Sequence, residues 1–212
     1  MIFFDVLPDQ QRQVLELNIS DTEERIKYMP GMAAAAFHQS LDGKGIAEIV
    51  QWESERHLKA AFEHTEFDAH AAEVLKKVVK SEFSPYTTRY VDAKGANPSG
   101  GVATVSPEIE LLTVIAKFDI DCDKQLALLD LLIARHEASL KDLPGFLSVS
   151  FLTSPDGEKV VEYVQFEKQA FEIGQNNFEK LAYAEKIAGL VRTLDVRFCE
   201  VMFVSVGLSQ RA

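Results

Sequence analysis

Pro30-Gly31, Ser40-Leu41-Asp42-Gly43 and Glu48-Ile49-Val50-Gln51-Trp52-Glu53 are answered later in the chain by Pro144-Gly145, Ser154-Pro155-Asp156-Gly157 and Glu162-Tyr163-Val164-Gln165-Phe166-Glu167. One gapless offset of 114 residues relates all three pairs, and ten of the 24 positions from Pro30 to Glu53 are identical at that offset. Agreement that dense, with no gap, marks an internal duplication. Ala93 to Thr104, rich in Gly, Pro and small residues, reads as a flexible linker between the copies. The expected division is a first copy over 1–93, a linker over 94–106 and a second copy over 107–212.

The second copy is the easier to read. Glu110–Ile120 is rich in Leu, Val, Ile and Phe and reads as a strand. Asp121 and Asp123 are N-cap candidates, and Leu126, Leu129, Ile133 and Leu140 follow at helical spacing. Pro144-Gly145 ends that helix. Phe146–Thr153 and Lys159–Phe166 are strands joined by the Ser154-Pro155-Asp156-Gly157 turn. A polar helix is expected over about 168–191, then a strand over Arg197–Val206. The first copy repeats the order: strand 1–6, helix 8–28, strands 32–40 and 44–53, helix 54–80 with a break near Thr65, and strand 83–92. Val14–Ile19 also fits a strand, but the offset sets it opposite the helix at Leu126–Leu140.

The result is α+β: two tandem ferredoxin-like βαββαβ domains. Helices on one face of an antiparallel sheet leave the other face wet or paired. Two such sheets in one chain predict an internal pseudo-dimer in which the bare faces pack together. Further homo-oligomerisation is left open.

Composition narrows the function classes. Of 212 residues 47% are hydrophobic and 26% charged, which suits a globular protein. The net charge of −11 divides into −5 over residues 1–95 and −6 over 96–212, so neither nucleic acid nor an anionic membrane is an expected partner. No uncharged apolar run approaches the roughly 18 residues of a membrane helix. Met1-Ile2-Phe3-Phe4-Asp5 lacks a basic segment, so no signal peptide is expected. Cys122 and Cys199 are the only cysteines, which excludes a disulfide framework and a cysteine-based zinc cluster; a cytoplasmic setting is expected. The two follow the first strand and begin the last strand of one copy, positions that bring them near each other. No two histidines stand at i, i+3 or i+4, and no metal site is expected.

At Pro30-Gly31, His38-Gln39-Ser40-Leu41-Asp42-Gly43, Val50-Gln51-Trp52-Glu53-Ser54 and Phe67-Asp68-Ala69-His70 the sequence resembles the antibiotic biosynthesis monooxygenase family. The resemblance covers nearly the whole chain, twice. It implies a dimeric α+β barrel, closed within the chain or with another chain. It also implies cofactor-independent oxygenation of a small aromatic, phenolic, polyketide-like compound bound between sheet and helices. The family's oxygenases use a third-strand Trp, an Asn four residues before it and a first-strand Asn. Trp52 matches the Trp, Glu48 stands where the upstream Asn would be, and the first-strand position falls near Ile2. The second copy has Phe166, Glu162 and a position near Ala116 instead.

The resemblance therefore implies Trp52, Glu48 and His70 as catalytic residues, with His38, Phe62, Phe67, Phe166 and Glu162 as substrate-binding ones. It also implies activity in the first copy and a structural second copy. Such chemistry needs a base that forms the substrate anion and a site that excludes water. A buried carboxyl raised towards neutrality can serve, so Glu48 is a candidate base. The competing readings pair Glu48 with a cation and pair His70 with Glu66 or Glu73 on its own helix. His57 and His64 are expected on a solvated helix face. Haem-degrading relatives use a His, a Trp and an Asn; Trp52 and His70 are present and the Asn is not, so no cofactor is expected. The alternative is a non-catalytic ligand-binding or scaffold protein of the same fold.

Overall fold

The computed structural model describes residues 1–63, 65–93, 111–169, 187 and 189–208, without the side chains at 65–69. The expected linker, most of the helix expected over 168–191, His64 and the Phe67 side chain lie outside the described residues. The chain divides into two compact units, Met1–Ser84 with the segment from Glu200 onward, and Pro85–Cys199.

The first unit follows the expected order. Strand β1 (Ile2–Val6) leads to helix α1 (Gln11–Glu24), a 3-10 turn (Ile26–Tyr28), β2 (Met32–Ser40), β3 (Gly45–Trp52), helices α2 (Glu55–Phe62) and α3 (Thr65–Leu75), and β4 (Val78–Phe83). The strand order β4-β1-β3-β2 is the ferredoxin-like one, antiparallel at each of its pairings. Residues 12–19 are helical, as the repeat requires.

The second unit begins with β5 (Thr87–Ala93) and continues with β6 (Leu111–Ile120), α4 (Gln125–Ala138), β7 (Phe146–Thr153), β8 (Lys159–Glu167) and the start of β9 (Val191–Val206). Its order is β9-β6-β8-β7-β5. A sequence repeat and a compact unit are therefore different divisions of the chain. The end strand of the first repeat, β5, lies beside β7 in the second unit, and the end of β9 lies beside β2 in the first. Each exchanged segment covers an edge that would otherwise present unpaired N–H and C=O groups.

The duplication recurs bond for bond. Ile2 pairs in register with Glu48, and Ala116 with Glu162. Gln11 Nε2 donates to the carbonyls of Ser40 (3.0 Å) and Gly45 (2.9 Å); Gln125 Nε2 does the same to Ser154 and Lys159, both at 3.0 Å. Glu53 N donates to Gly31 O and Glu167 N to Gly145 O, each at 2.8 Å. Gly31 and Gly145 take the left-handed φ of 76° and 74° that favours glycine at these turns.

Two boundaries differ from the sequence expectation. Helix was expected to Lys80, but Val78 starts β4, pairing with Val6, and Lys80 pairs with Asp5. Ladder hydrogen bonds and the β-branched pair Val78-Val79 outweigh helical spacing here. The final strand starts at Val191 rather than Arg197, matching β4 at the repeat offset.

Phe4, Val14, Leu15, Phe37, Ile46 and Val74 form the core on the helix side of the first unit. Leu112, Val114, Phe118, Leu128, Leu132 and Phe166 belong to that of the second. The opposite sheet faces are buried as well: Phe3, His38, Ala47 and Ile49 in one unit, and Ile115, Tyr163 and Gln165 in the other. Neither cysteine is in a disulfide; Cys122 is exposed and Cys199 buried. No described helix is long and apolar enough to cross a membrane.

Candidate functional site

Alternation along β3 puts Glu48, Val50 and Trp52 on one face. Val50 and Trp52 pack against the helix-side core, and Glu48 is opposite Phe37 of that core. Glu48 and Trp52 thus share the helix face, as the sequence predicts. Glu48 is 5% exposed and Trp52 half-buried.

Helix α1 supplies the partners. Val14 and Leu15 anchor it to the core, and one turn on from Val14, Asn18 lies over the sheet. Asn18 Nδ2 donates to Glu48 Oε1, while Asn18 Oδ1 meets His70 Nε2 from α3 at 2.8 Å. His70 Nδ1 is 3.9 Å from Asp21 Oδ1, and Asp21 is paired with Arg25 one turn along α1. A chain of contacts therefore runs from Glu48 through Asn18 and His70 to Asp21 and Arg25. Asn18 and Asp21 are buried; His70 keeps 20% of its side-chain surface. Asp21 Oδ2 is buried with no hydrogen-bond partner among the described residues.

Burial pushes the Glu48 carboxyl up to about 8. The hydrogen bond from Asn18 and the ammonium of Met1 oppose that rise, and Asp21 adds to it. The cation pairing considered for Glu48 is not what the fold builds: an amide holds it. His70 likewise turns to α1 rather than to Glu73 of its own helix, and the Glu66 side chain lies outside the described residues. No group of three or more His, Cys, Asp or Glu among the described residues could hold a metal ion.

The second repeat solves the same position differently. Asn18 is replaced at the repeat offset by Leu132, Asp21 by Arg135 and His70 by Ala184. Arg135 Nη2 donates directly to Glu162, which is 1% exposed. Burial raises the Glu162 carboxyl against the pull of this guanidinium. Phe166, in the place of Trp52, is wholly buried against Phe146.

The other expected site residues are not gathered here. His38 lies on the opposite face of β2, in register with Ala47, where its Nδ1 donates to the Ala47 carbonyl (3.1 Å); burial lowers it to about 4 and keeps the ring neutral. Phe62 is 44% exposed and stacks edge-on with Phe83. His57, expected in solvent, covers Gly31 and contacts Ser54, the cap of α2. A surface depression lined by Glu55, Arg56, Lys59, Ala60 and Glu63 includes none of the candidate residues. Sequence reasoning missed Asn18, Asp21 and Arg25. Their spacing of three and four residues on α1 set them on one helical face, but only the fold shows that Glu48 lies beneath it.

Tandem ferredoxin-like units with a buried carboxyl and a tryptophan on one sheet face define a chain with the fold of the monooxygenases that its sequence resembles. No protein-family model matches the chain. It is 39% identical over 69 residues to tetracenomycin-F1 monooxygenase of Streptomyces glaucescens, a stretch that is 32% of this chain and 62% of that relative. An anthrone oxidase-like protein matches its fold with a TM-score of 0.81 at 19% identity, covering 98% of this chain and 92% of that one. A major regulator of staphylococcal pathogenesis matches with a TM-score of 0.53 at 11% identity, covering 96% and 100%.

Proposed function

We propose that this protein is a monooxygenase that oxidises a small phenolic, polyketide-like compound with molecular oxygen and no bound cofactor, using Glu48 as the base. The observation that carries this reading is the Glu48 environment: a buried carboxyl held by an amide rather than a cation, on the face that bears Trp52. A carboxyl raised to about 8 has the proton affinity to take a proton from an activated ring carbon or phenol. The substrate anion then passes electrons to oxygen. One oxygen atom becomes the new ring carbonyl, the other leaves as water, and a CH2 group becomes C=O. Trp52 offers an aromatic wall for such a ring. The likeness to tetracenomycin-F1 monooxygenase supports the reaction class. Two cysteines outside any disulfide fit a reducing, cytoplasmic setting. The division of labour follows: the first repeat acts, and the Glu162–Arg135 pair makes the second structural.

Oxygen uptake with a panel of anthrone- and naphthol-like phenols tests this. Turnover should rise with pH through about 8, as Glu48 ionises. Glu48→Gln should lower it by about 10²-fold or more, while Phe166→Ala should leave turnover per folded molecule intact. A folded Glu48→Gln protein with undiminished uptake refutes Glu48 as the base. A second reading, ligand binding without catalysis, draws on the satisfied hydrogen bonds of Glu48, Asn18 and His70. Phenol binding without oxygen uptake would select it.

A further inference from the structure

We propose that Asp21 sets the substrate specificity of the site: its Oδ2 accepts a hydrogen bond from a ring hydroxyl that stands apart from the reacting carbon, so that hydroxylated ring systems bind and their methyl ethers are rejected. The inference rests on the reading of Glu48 and Trp52 as the catalytic face. It starts from one atom. The Asp21 side chain keeps 7% of its surface, and its Oδ2 is buried with no hydrogen-bond partner among the described residues. The donors beside it serve the other oxygen: Arg25 Nε donates to Oδ1, and His70 Nδ1 stands 3.9 Å from that same atom. A carboxylate oxygen shut away from water without a donor is costly, so its burial here calls for a donor that the fold itself does not supply.

Position identifies that donor. Gln11 bonds the Gly45 carbonyl and Asn18 the Glu48 carboxyl, so α1 and β3 run side by side in one direction, each advancing about 10 Å between these contacts. Asp21 stands about 4.5 Å further along the helix, abreast of the stretch of β3 that runs from Glu48 to Trp52. A fused-ring compound with its reacting carbon at Glu48 and its rings towards Trp52 therefore passes Asp21. Arg25 already balances the charge of Asp21. A neutral donor thus suits Oδ2 better than a cation, and on an oxygenated aromatic ring that donor is a hydroxyl. The approach is not sealed, since His70 and Arg25, which flank Asp21, keep 20% and 23% of their side-chain surface. The second repeat lacks the acceptor: Arg135 takes the place of Asp21 there and is paired with Glu162.

The test uses the full chain, and Trp52, its only tryptophan, reports binding by fluorescence without turnover. Anthrones with a single hydroxyl at each outer-ring position in turn, the methyl ether of each, and unsubstituted anthrone are titrated in the absence of oxygen. For at least one position, wild type should bind the hydroxyl compound about 10- to 100-fold more tightly than its ether or the bare ring. Asp21→Asn has nearly the same shape. Arg25 holds the amide oxygen on its own side, so an NH2 group replaces Oδ2; it cannot accept, but it can donate to an ether oxygen. In that variant the preference should disappear or turn towards the ether, and kcat/KM for the hydroxyl compound in oxygen uptake should fall by the same factor. Should Asp21→Asn not fold, Asp21→Ala removes the acceptor and makes room for the methyl group, with the same loss of preference expected. Equal binding of hydroxyl and ether by wild type, or a preference that survives in the variant, would overturn the assignment and leave Oδ2 to a bound water. A Trp52 signal that none of the compounds moves would overturn it too. If the preference is present but Glu48→Gln takes up oxygen normally, the base reading fails and the role of Asp21 stands. If the preference is absent and Glu48→Gln is inactive, the reverse holds.

Discussion

Glu48 and Glu162 hold the same register position in the two repeats, each facing a helix through a buried oxygen. What differs is the residue of the first helix that reaches it: Asn18 on α1 meets one carboxyl, Arg135, one helical turn further along α4, the other. The consequence for stability has opposite signs. Replacing Glu162 by Gln removes the carboxylate charge that the Arg135 guanidinium pairs with in a closed site and should cost roughly 3–5 kcal/mol in urea denaturation. Replacing Glu48 by Gln leaves an amide that can pair with Asn18 in either orientation, and at pH 8 it should hold or raise stability, because burial no longer has to restrain a charge. Equal losses from the two variants would contradict this assignment.

At the scale of elements, the exchanged end strands are the sensitive features. Gly207, one residue past β9, donates to the Ala33 carbonyl (3.0 Å). A Cβ there would fall 1.8 Å from the backbone oxygen of Met32, an atom that cannot step aside as a side chain can. Gly207→Ala should therefore push the end of β9 off β2 and cost about 2 kcal/mol. Hydrogen exchange should speed up along 32–36 and 200–206 and stay unchanged along the β6–β8 ladder. A uniform response across both units, or none, would show that the end of β9 is not held by this contact. Helix α1 makes a complementary point. Its apolar residues Val14 and Leu15 fix its roll over the sheet, and that roll delivers Asn18 and Asp21 to Glu48 and His70. Their role depends on packing done by other residues.

For the whole molecule, Glu48, His38 and the Met1 amine, all buried, shape the response to pH. The folded state holds the Glu48 proton up to about 8, whereas the unfolded chain gives it up near the ordinary value for glutamate. Stability contributed by this group therefore falls as pH rises across that interval. His38 works in the other direction. It stays neutral in the fold down to about 4, while the unfolded chain takes up a proton below about 6.5, so stability falls as pH drops from there. The Met1 amine, lowered by burial to about 5, acts in the same sense as His38 from there up to about 8. From 6.5 to 8 the Glu48 contribution alone should fall by about 2 kcal/mol. The stability of wild type relative to Glu48→Gln, read by denaturation, should therefore fall by that amount across the interval. Parallel curves would show that Glu48 ionises in the fold as it does in water.

Repetition at an offset of 114 residues, with turn glycines and alternating strands, was enough to specify the α+β class, the tandem plan and the strands that carry the conserved turns. These depend on local chemistry: Gly31 and Gly145 need a left-handed φ, and β3 and β8 need period-two burial. The face shared by Glu48 and Trp52 was legible for the same reason. The helix–strand boundary at Val78 was not, because pairing with β1 chose the strand. Nor was the exchange of end strands between units, since an edge recruits whichever segment the chain can bring to it. The partner of Glu48 lay furthest from local reading. Asn18 is 30 residues away and His70 meets it across 52. A buried carboxyl takes its proton affinity from whatever the tertiary fold places against it, and in this protein that is an amide in one repeat and a guanidinium in the other.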